Sequence, residues 1–250
     1  MPASSSIEWT NATWNPWHGC LKISAGCKNC YMYRDKARYG QDPRQVLRSK
    51  TTFRAPLSWK DDRRVFTCSW SDFFIDQADG WRDEAWAIIA ATPHLTYQIL
   101  TKRADRMAGR LPWTTDPWPH VWLGVSVEDR DAKWRIDRLR EVSAAVRFLS
   151  LEPLLEDVGE LDLRGIHWAI IGGESGPDAR MLDIRWVRSA IEQCRAAGVA
   201  VFVKQLGAYP VDWRADDPEV PPYEFHFRDR KGGDWSEWPE DLRIREYPTV

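Results

Sequence analysis

The chain has 250 residues, a formal net charge of −2 and 16 tryptophans. Its length allows one large α/β domain or two small ones, and its near-neutral charge lacks the overall basicity typical of nucleic-acid binders. No apolar run approaches the ~18 residues that a membrane span needs. No charged and then apolar segment of the signal-peptide type opens the sequence. We therefore expect a cytoplasmic protein without membrane association.

Apolar runs of strand character alternate with helix-like stretches through most of the chain. In chain order, the predicted strands are Ile7–Thr13, Val65–Trp70, Thr96–Thr101, Val121–Val127, Val146–Leu151, Trp168–Ile171 and Val199–Lys204. The predicted helices are Cys30–Arg38, Trp81–Ala91, Arg103–Gly109, Asp129–Ser143 and Ile184–Ala197. This alternation predicts a parallel sheet, either open and doubly wound or closed as a barrel. Residues 208–250 are rich in Pro, Gly and acids, and we expect an irregular cover or a small hairpin there.

Polar or glycine residues follow the carboxyl ends of six predicted strands. They lie in the segments Ser69–Asp72, Thr101–Arg103, Ser126–Asp129, Ser150–Pro153, Gly172–Ser175 and Lys204–Gln205. Ligands collect at the carboxyl ends of parallel strands, both in barrels and in open sheets. We therefore expect these segments to form one ring of converging polar groups.

The same residues also have a structural interpretation. Ser and Asp at a strand–helix junction are common N-caps, and Asp129 could open its helix and do nothing more. Lys102 and Lys204 could form structural ion pairs with glutamates of the ring. Arg103 is expected to be solvated or structural.

Three of the five cysteines, Cys20, Cys27 and Cys30, share one short loop near the N-terminus. An odd total with three members bunched together indicates a metal site in a reducing compartment rather than a disulfide framework. Three thiolates could hold an iron–sulfur cluster with one open iron, or His18 could complete a closed zinc site. The loop follows the first predicted strand and should open onto the polar ring. The distant Cys68 and Cys194 are expected to be core residues.

Eight motifs occur in order along residues 6–207. They are WTNATWNPWHGC, GCKNCY, SWSDFF, ILTKRADRM, WLGVSVE, RFLSLEPLL, WAIIGGESG and FVKQLG. Together they resemble a phage- and prokaryote-associated family described as radical-SAM-like. Their order is also similar to that of the spore photoproduct lyase branch of radical SAM proteins.

The resemblance implies a partial (β/α) barrel of about six or seven parallel strands over residues 1–207. It places the cluster loop at 18–31, with 208–250 packed on the same domain as an irregular extension. It further implies a [4Fe–4S] cluster on Cys20, Cys27 and Cys30, whose open iron is chelated by S-adenosylmethionine. Reductive cleavage of that cofactor would lead to hydrogen abstraction from a large substrate such as DNA or RNA. The expected protein partners are a reductant such as a flavodoxin or ferredoxin, and an accessory protein.

The resemblance also implies where S-adenosylmethionine binds. Asp72 or Glu174 would lie near its methionyl ammonium, and Ser126 and Glu128 near its ribose. The full set of residues assigned to cofactor binding is Asp72, Lys102, Ser126, Glu128, Glu152, Gly172, Gly173, Glu174 and Lys204.

Two features depart from the usual radical SAM pattern. Six residues rather than three separate Cys20 from Cys27, and Asn29 stands where an aromatic residue often precedes the last cysteine. A longer loop still supplies three ligands. The usual Gly-Gly-Glu element follows the second strand, whereas Gly172–Glu174 follows the sixth, and Asp72 lies nearer the expected place.

A basic segment suggests the nature of the substrate. Residues 31–64 hold ten Lys or Arg against four Asp, a local net charge of +6. Aromatic residues interleave with these charges, an arrangement that suits base stacking with phosphate contact. They are Tyr31, Tyr33, Tyr39, Phe53 and Trp59. The alternative from another functional class is a non-catalytic zinc-binding module that binds a nucleic acid or a partner protein.

Overall fold

A computed structural model describes residues 5–213 and 220–249 of the chain. Residues 1–4, 214–219 and 250, which belong to the predicted domain and its extension, lie outside the described part. The strands are Ala12–Trp14 (β1), Trp17–His18 (β2), Leu47–Arg48 (β3), Arg63–Thr67 (β4), Leu95–Thr101 (β5), Val121–Ser126 (β6), Val146–Leu151 (β7), Trp168–Gly172 (β8), Leu182–Asp183 (β9), Ala200–Gln205 (β10), Pro210–Asp212 (β11) and Tyr223–Glu224 (β12). The α-helices are Tyr31–Arg38 (α1), Asp79–Ala90 (α2), Trp134–Arg140 (α3) and Ile184–Ala196 (α4). Short 3-10 helices span Ala25–Cys27, Ala55–Ser58, Asp76–Ala78, Ala104–Arg106, Arg130–Ala132, Trp235–Glu237 and Glu240–Leu242. Among the described helices, none has both the length and the apolar character that a membrane crossing requires.

Seven parallel strands form the main sheet in the order β1-β4-β5-β6-β7-β8-β10, and the sheet curves into a half-barrel. The prediction of a partial (β/α) barrel with six or seven parallel strands is confirmed, and each predicted strand overlaps a strand of this sheet, although only Ala12 and Thr13 of Ile7–Thr13 do so. Thr101 on β5 pairs with Val125 on β6, and Ser126 pairs with Ser150 on β7. The carboxyl ends of neighbouring strands therefore lie level along one edge.

The two faces of the sheet bury different side chains. One face packs against the helices, with Ile89 of α2, Ile136 of α3 and Val187 of α4 in the same core. The opposite face, inside the half-barrel, carries a second core made largely of aromatic residues. Its members are Trp9, Phe66, Trp122, Val146, Phe148, Trp168, Ile170 and Phe202. Because strand side chains alternate between faces, the next inward positions toward the carboxyl edge fall at the strand ends.

Those inward positions hold residues that the sequence assigned to a ligand site. Ser126 follows Trp122 and Gly124 on the inner face of β6, and Gly172 follows Trp168 and Ile170 on β8. On β10 the register shifts between Val203 and Gln205, and Lys204 at this shift pairs with Glu152 at the end of β7. The half-barrel is thus apolar at its amino end and polar at its carboxyl end.

Two predicted helices are shorter than expected. The hydroxyl of Thr101 accepts a hydrogen bond from the Arg103 N–H at 2.8 Å, and the Arg103 backbone itself is not helical, with φ −101° and ψ 57°. Only the turn Ala104–Arg106 follows. The predicted helix 129–143 begins instead with a 3-10 turn, in which the Asp129 carboxylate caps the Ala132 N–H at 2.9 Å. Asp129 therefore has the capping role that the structural interpretation gave it.

The C-terminal segment packs on the half-barrel. Strands β9, β11 and β12 form a small separate sheet. Beyond it, the Val203 N–H donates to Ile244 O and the Glu246 N–H donates to Val201 O, both at 2.8 Å. These bonds cover the outer edge of β10, which would otherwise leave backbone groups unpaired. The Tyr247 ring packs on Trp168 at 5.5 Å between ring centroids, against the aromatic core.

Candidate metal centre at the strand ends

The cysteine loop, residues 18–31, lies across the carboxyl ends of several strands of the half-barrel. Four side-chain contacts join it to the segments that follow β4, β5, β6 and β8. These contacts are Tyr31 to Ser69, Cys20 to Arg103, Ser24 to Glu128 and Asn29 to Glu174. The loop and the predicted polar ring therefore form one site.

Two glycines let the loop approach its neighbours closely. Gly19 has a φ of +95° and packs directly against the Gln45 backbone, so a side chain there would be both strained and crowded. Gly26 is buried, and a Cβ at this position would lie 2.6 Å from Glu128 Oε1. A larger residue at Gly26 would push the loop away from the end of β6.

Cys20 is held by a buried arginine. Its Sγ lies 3.7 Å from Arg103 Nη1, while Arg103 Nη2 donates to Leu21 O at 2.9 Å. The Tyr33 hydroxyl donates to Cys20 O at 2.6 Å. Burial, together with the Asp72 charge, raises the pKa of Cys20 to about 12, although Arg103 acts in the opposite direction. The thiol is therefore protonated without a metal, and metal binding at Cys20 would release a proton.

Cys27 and Cys30 lie on the other side of the loop. Cys27 ends the turn Ala25–Cys27, and the Ser24 hydroxyl lies 3.7 Å from its Sγ. Cys30 immediately precedes α1, where the helix dipole favours negative charge. All three loop cysteines are partly exposed and free, whereas Cys68 and Cys194 are buried as predicted.

Three thiolates are the type of donor that an iron–sulfur cluster takes. Three thiolates on one loop can each bind a different iron and leave a fourth iron open. Burial and the Lys36 charge lower the pKa of the alternative fourth ligand, His18, below its usual value, which favours the neutral imidazole. Its Nδ1 is buried without a hydrogen-bond partner among the described residues. Within residues 5–213 and 220–249, no three His, Cys, Asp or Glu side chains gather around a single-ion position.

Asp72 clamps the ends of β4 and β5 together. One carboxylate oxygen accepts from the Thr101 hydroxyl at 2.7 Å and from the Phe74 N–H at 2.9 Å. The other accepts from the Lys102 N–H at 3.1 Å and from Arg103 Nη1 at 3.2 Å. With four protein donors on a buried carboxylate, Asp72 holds these strand ends together, and its predicted contact with a methionyl ammonium stays a prediction.

The carboxylate of Glu128 is likewise paired with several protein donors. It is fully buried and pairs with Lys102 at 3.2 Å and with Arg135 at 2.5 Å, and the Ser24 hydroxyl donates to it. Burial acts to raise the pKa of Glu128, but the Lys102 and Arg135 charges outweigh it and lower the pKa below its usual value. Glu128 is therefore an anion that ties the cysteine loop to the half-barrel.

Glu174 ties the other end of the loop. Its carboxylate pairs with Arg180 at 2.7 Å and accepts from Asn29 at 2.9 Å. Arg180 in turn donates to Ala25 O of the loop at 3.0 Å. At the neighbouring position 173, close packing explains the glycine, because a Cβ there would lie 2.5 Å from Leu206 O.

Glu152 and Lys204 form the less saturated part of the ring. Lys204 Nζ lies 2.5 Å from Glu152 Oε1, and both side chains remain partly exposed. Gly172 lies beside this pair, and a Cβ at Gly172 would be 3.5 Å from the Glu152 side chain. Ser126 and Ser150 are paired neighbours on the same inner face. This group offers an anion, a cation and two hydroxyls at the carboxyl end of the half-barrel.

An open cleft of about 670 Å³ lies beside the cysteine loop. Its lining includes Trp134 and charged residues of both signs. The charged members are Asp76, Lys102, Arg103, Asp105, Arg106, Asp129, Asp131 and Arg135, and the loop contributes Ile23, Ser24 and Ala25.

The family model of a protein of unknown function, DUF5131, matches residues 4–236. This chain belongs to the DUF5131 family. The match includes the cysteine loop and all seven strands of the half-barrel. No curated protein and no solved structure matches the chain.

Sequence reasoning missed several groups that build the site of this DUF5131 protein. Arg103 was expected to be solvated or structural; it is buried and paired with Asp72, as the structural alternative expects, but its contact with Cys20 was not predicted. Its position at a predicted strand end, next to Lys102, was the available signal. Arg135 and Arg180 follow their partners Glu128 and Glu174 by seven and six residues, but neither stands at a predicted strand end, so neither was assigned to the site.

In the basic segment of the DUF5131 protein, residues 31–64, many charged and aromatic side chains make contacts within the protein. Arg48 and Arg54 both pair with Glu84, at 2.6 and 2.9 Å. Phe53 and Trp59 are core residues with 2% and 8% exposure, so their interpretation as stacking aromatics is wrong. Tyr39 is the aromatic of that set with the largest exposed fraction.

Proposed function

We propose that this DUF5131 protein is a radical SAM enzyme. In this proposal, Cys20, Cys27 and Cys30 hold a [4Fe–4S] cluster, and S-adenosylmethionine is cleaved reductively so that hydrogen is abstracted from a large substrate. The observation that carries the proposal is the seating of a three-cysteine loop on the carboxyl ends of a parallel half-barrel. When bound, the cluster would supply the electron that breaks the sulfonium bond.

The chain's own residues support the metal part of the proposal. Asn29 and Ser24 join the loop to Glu174 and Glu128 on two separate strand ends. A loop held at several points keeps its thiols in place before a metal arrives, which lowers the entropy lost on binding. The partial exposure of the three cysteines leaves a route for iron and sulfide to enter.

The less saturated part of the ring would seat the cofactor. The methionyl group of S-adenosylmethionine carries one ammonium and one carboxylate, and Glu152 and Lys204 carry the complementary charges. The present ion pair between them would be exchanged for two ion pairs with the ligand. The Ser126 hydroxyl would face the ribose, and Gly172 would leave room for the ligand backbone. Asp72, Glu128 and Glu174 would act by holding the strand ends and the loop.

The substrate proposed is DNA or RNA, with a flavodoxin or ferredoxin as reductant and an accessory protein as a further partner. Several cations of the basic segment lack an ion pair among the described residues and remain open to phosphate. They are Arg34, Arg38, Lys50 and Lys60. A chain with a net charge of −2 that binds a polyanion through such local cations should lose affinity steeply as salt rises.

Cofactor cleavage tests the proposal. The protein is reconstituted anaerobically with iron and sulfide, reduced with dithionite and incubated with S-adenosylmethionine, and 5′-deoxyadenosine is quantified. Cys20→Ala, Cys27→Ala and Cys30→Ala should each lose iron and product. Cys194→Ala is the matched control, since this buried thiol lies on α4 away from the loop, and it should retain both.

Two results would overturn the proposal. One is a reconstituted wild type that holds iron but forms no more product than the loop variants. The other is a protein that retains one zinc per chain and takes up no iron, which would favour the non-catalytic zinc-binding module.

A further inference from the structure

We propose that Arg103 is a positioning residue that raises the reduction potential of the cluster through its contact with Cys20. This inference rests on the proposed function, because it needs a cluster on the loop. It concerns a residue that lies outside the three ligands and outside the residues proposed to seat S-adenosylmethionine.

Arg103 is placed to donate to a ligand sulfur. It follows β5 directly, has 7% exposure, and turns its guanidinium toward the loop. Nη1 lies 3.7 Å from Cys20 Sγ, a suitable separation for N–H···S because sulfur is larger than oxygen. Nη2 donates to Leu21 O at 2.9 Å, so the two nitrogens hold the ligand and the next peptide together. The planar fork of the guanidinium makes both contacts at once.

Asp72 also holds the Arg103 guanidinium in place. Asp72 binds Nη1 at 3.2 Å, and Asp72 is itself held by the Thr101 hydroxyl and by the N–H groups of Phe74 and Lys102. Arg103 therefore lies between a buried carboxylate and the sulfur, with its donor directed at Cys20. Such outer contacts orient a ligand and tune the metal that it binds.

Within the part of the chain that the structure describes, the other two cysteines lack an equivalent donor. The Ser24 hydroxyl is near Cys27, but its single proton is donated to Glu128, so toward the sulfur it can only accept. Cys30 stands at the start of α1, and its side chain makes no capping hydrogen bond there. Cys20 is therefore the ligand that receives a positively charged donor.

A charged donor at this position should stabilise the reduced cluster. Reduction adds one negative charge to the cluster, and part of that charge resides on the ligand sulfurs. An N–H···S contact from a cation stabilises this charge, and burial strengthens the interaction by lowering the local dielectric constant. The cluster should thus be easier to reduce than the same loop without Arg103.

Redox titration of the reconstituted protein, monitored by electron paramagnetic resonance, tests the inference. Arg103→Met should retain iron and show a more negative midpoint potential. Arg103→Lys should fall between Arg103→Met and wild type, because one ammonium cannot reach both the sulfur and Leu21 O. Arg106→Met is the matched control. Arg106 lines the same cleft and pairs with Asp76 at 2.9 Å, so its loss should leave the potential unchanged.

A double variant separates the sulfur contact from the charge of Asp72. In Arg103→Met alone, the unpaired Asp72 carboxylate would also lower the potential. Asp72→Asn/Arg103→Met removes both charges, and a shift that persists in it supports the N–H···S contact. A double variant with the wild-type potential would overturn the inference.

The two failures are distinguishable. If the wild type takes up no cluster, the proposed function fails and the inference fails with it. If the wild type takes up a cluster and Arg103→Met matches it in iron content and potential, the inference alone fails. Arg103→Lys keeps the question answerable if the methionine variant does not fold.

Discussion

Replacing Asp72 with Asn tests the clamp between the ends of β4 and β5. The asparagine oxygen can still accept from the Thr101 hydroxyl and the Phe74 N–H, but its NH₂ group then faces two donors, the Lys102 N–H and Arg103. Two hydrogen bonds to a charged acceptor are lost, at about 1.5–3 kcal/mol each. Arg103 is also left as a buried cation without its partner, and breaking such a pair costs about 3–5 kcal/mol. The two costs overlap, so we expect the free energy of unfolding to fall by about 3–5 kcal/mol.

Urea denaturation of the metal-free protein, followed by tryptophan fluorescence, measures this loss. Asp83→Asn is the control, because Asp83 is an exposed carboxylate on α2 and its replacement should change the free energy of unfolding by no more than about 0.5 kcal/mol. A loss below about 1 kcal/mol for Asp72→Asn, close to that of the control, would refute the view that this carboxylate compensates a buried cation.

Two further predictions concern the loop contact and the acid stability. Gly26→Ala should destabilise the protein by about 1–3 kcal/mol in the same urea assay, because its Cβ would meet the buried Glu128. Gly80→Ala is the control, since Gly80 has open space around it on α2, and this variant should be neutral or stabilising. Equal effects of the two variants would contradict the close packing of the loop. For Asp79, burial acts to raise the pKa, but hydrogen bonds from Arg82 and Arg106 outweigh it and lower the pKa to about 2. The lowered pKa means that the Asp79 carboxylate stabilises the folded protein above the unfolded-state pKa, and that this stabilisation is lost as the pH falls toward 2. The difference in Tm between wild type and Asp79→Asn should therefore narrow from pH 7 to pH 3. A constant difference would show that the charge of Asp79 contributes nothing to stability.

Much of the half-barrel was predictable because its strands are buried on both faces. Segments such as Val121–Val127 and Trp168–Ile171 read as continuous apolar runs, which is typical of parallel strands. The apolar stripe of α4 identified Ile184–Ala197 almost to the residue. The helix predicted at 103–109 is reduced to the turn Ala104–Arg106, because the Arg103 backbone is not helical, a local feature that periodicity does not register.

Local sequence determined which residues carry chemistry: three cysteines on one loop, and polar groups at the strand ends. Only the tertiary structure decided which of those groups are already occupied. Asp72, Glu128 and Glu174 are paired with cations and amides that come from other elements, while Glu152 and Lys204 stay partly exposed. The reason is physical: a buried carboxylate needs donors, and the fold supplies Glu128 with one from the neighbouring helix, Arg135, and one from a more distant strand end, Lys102.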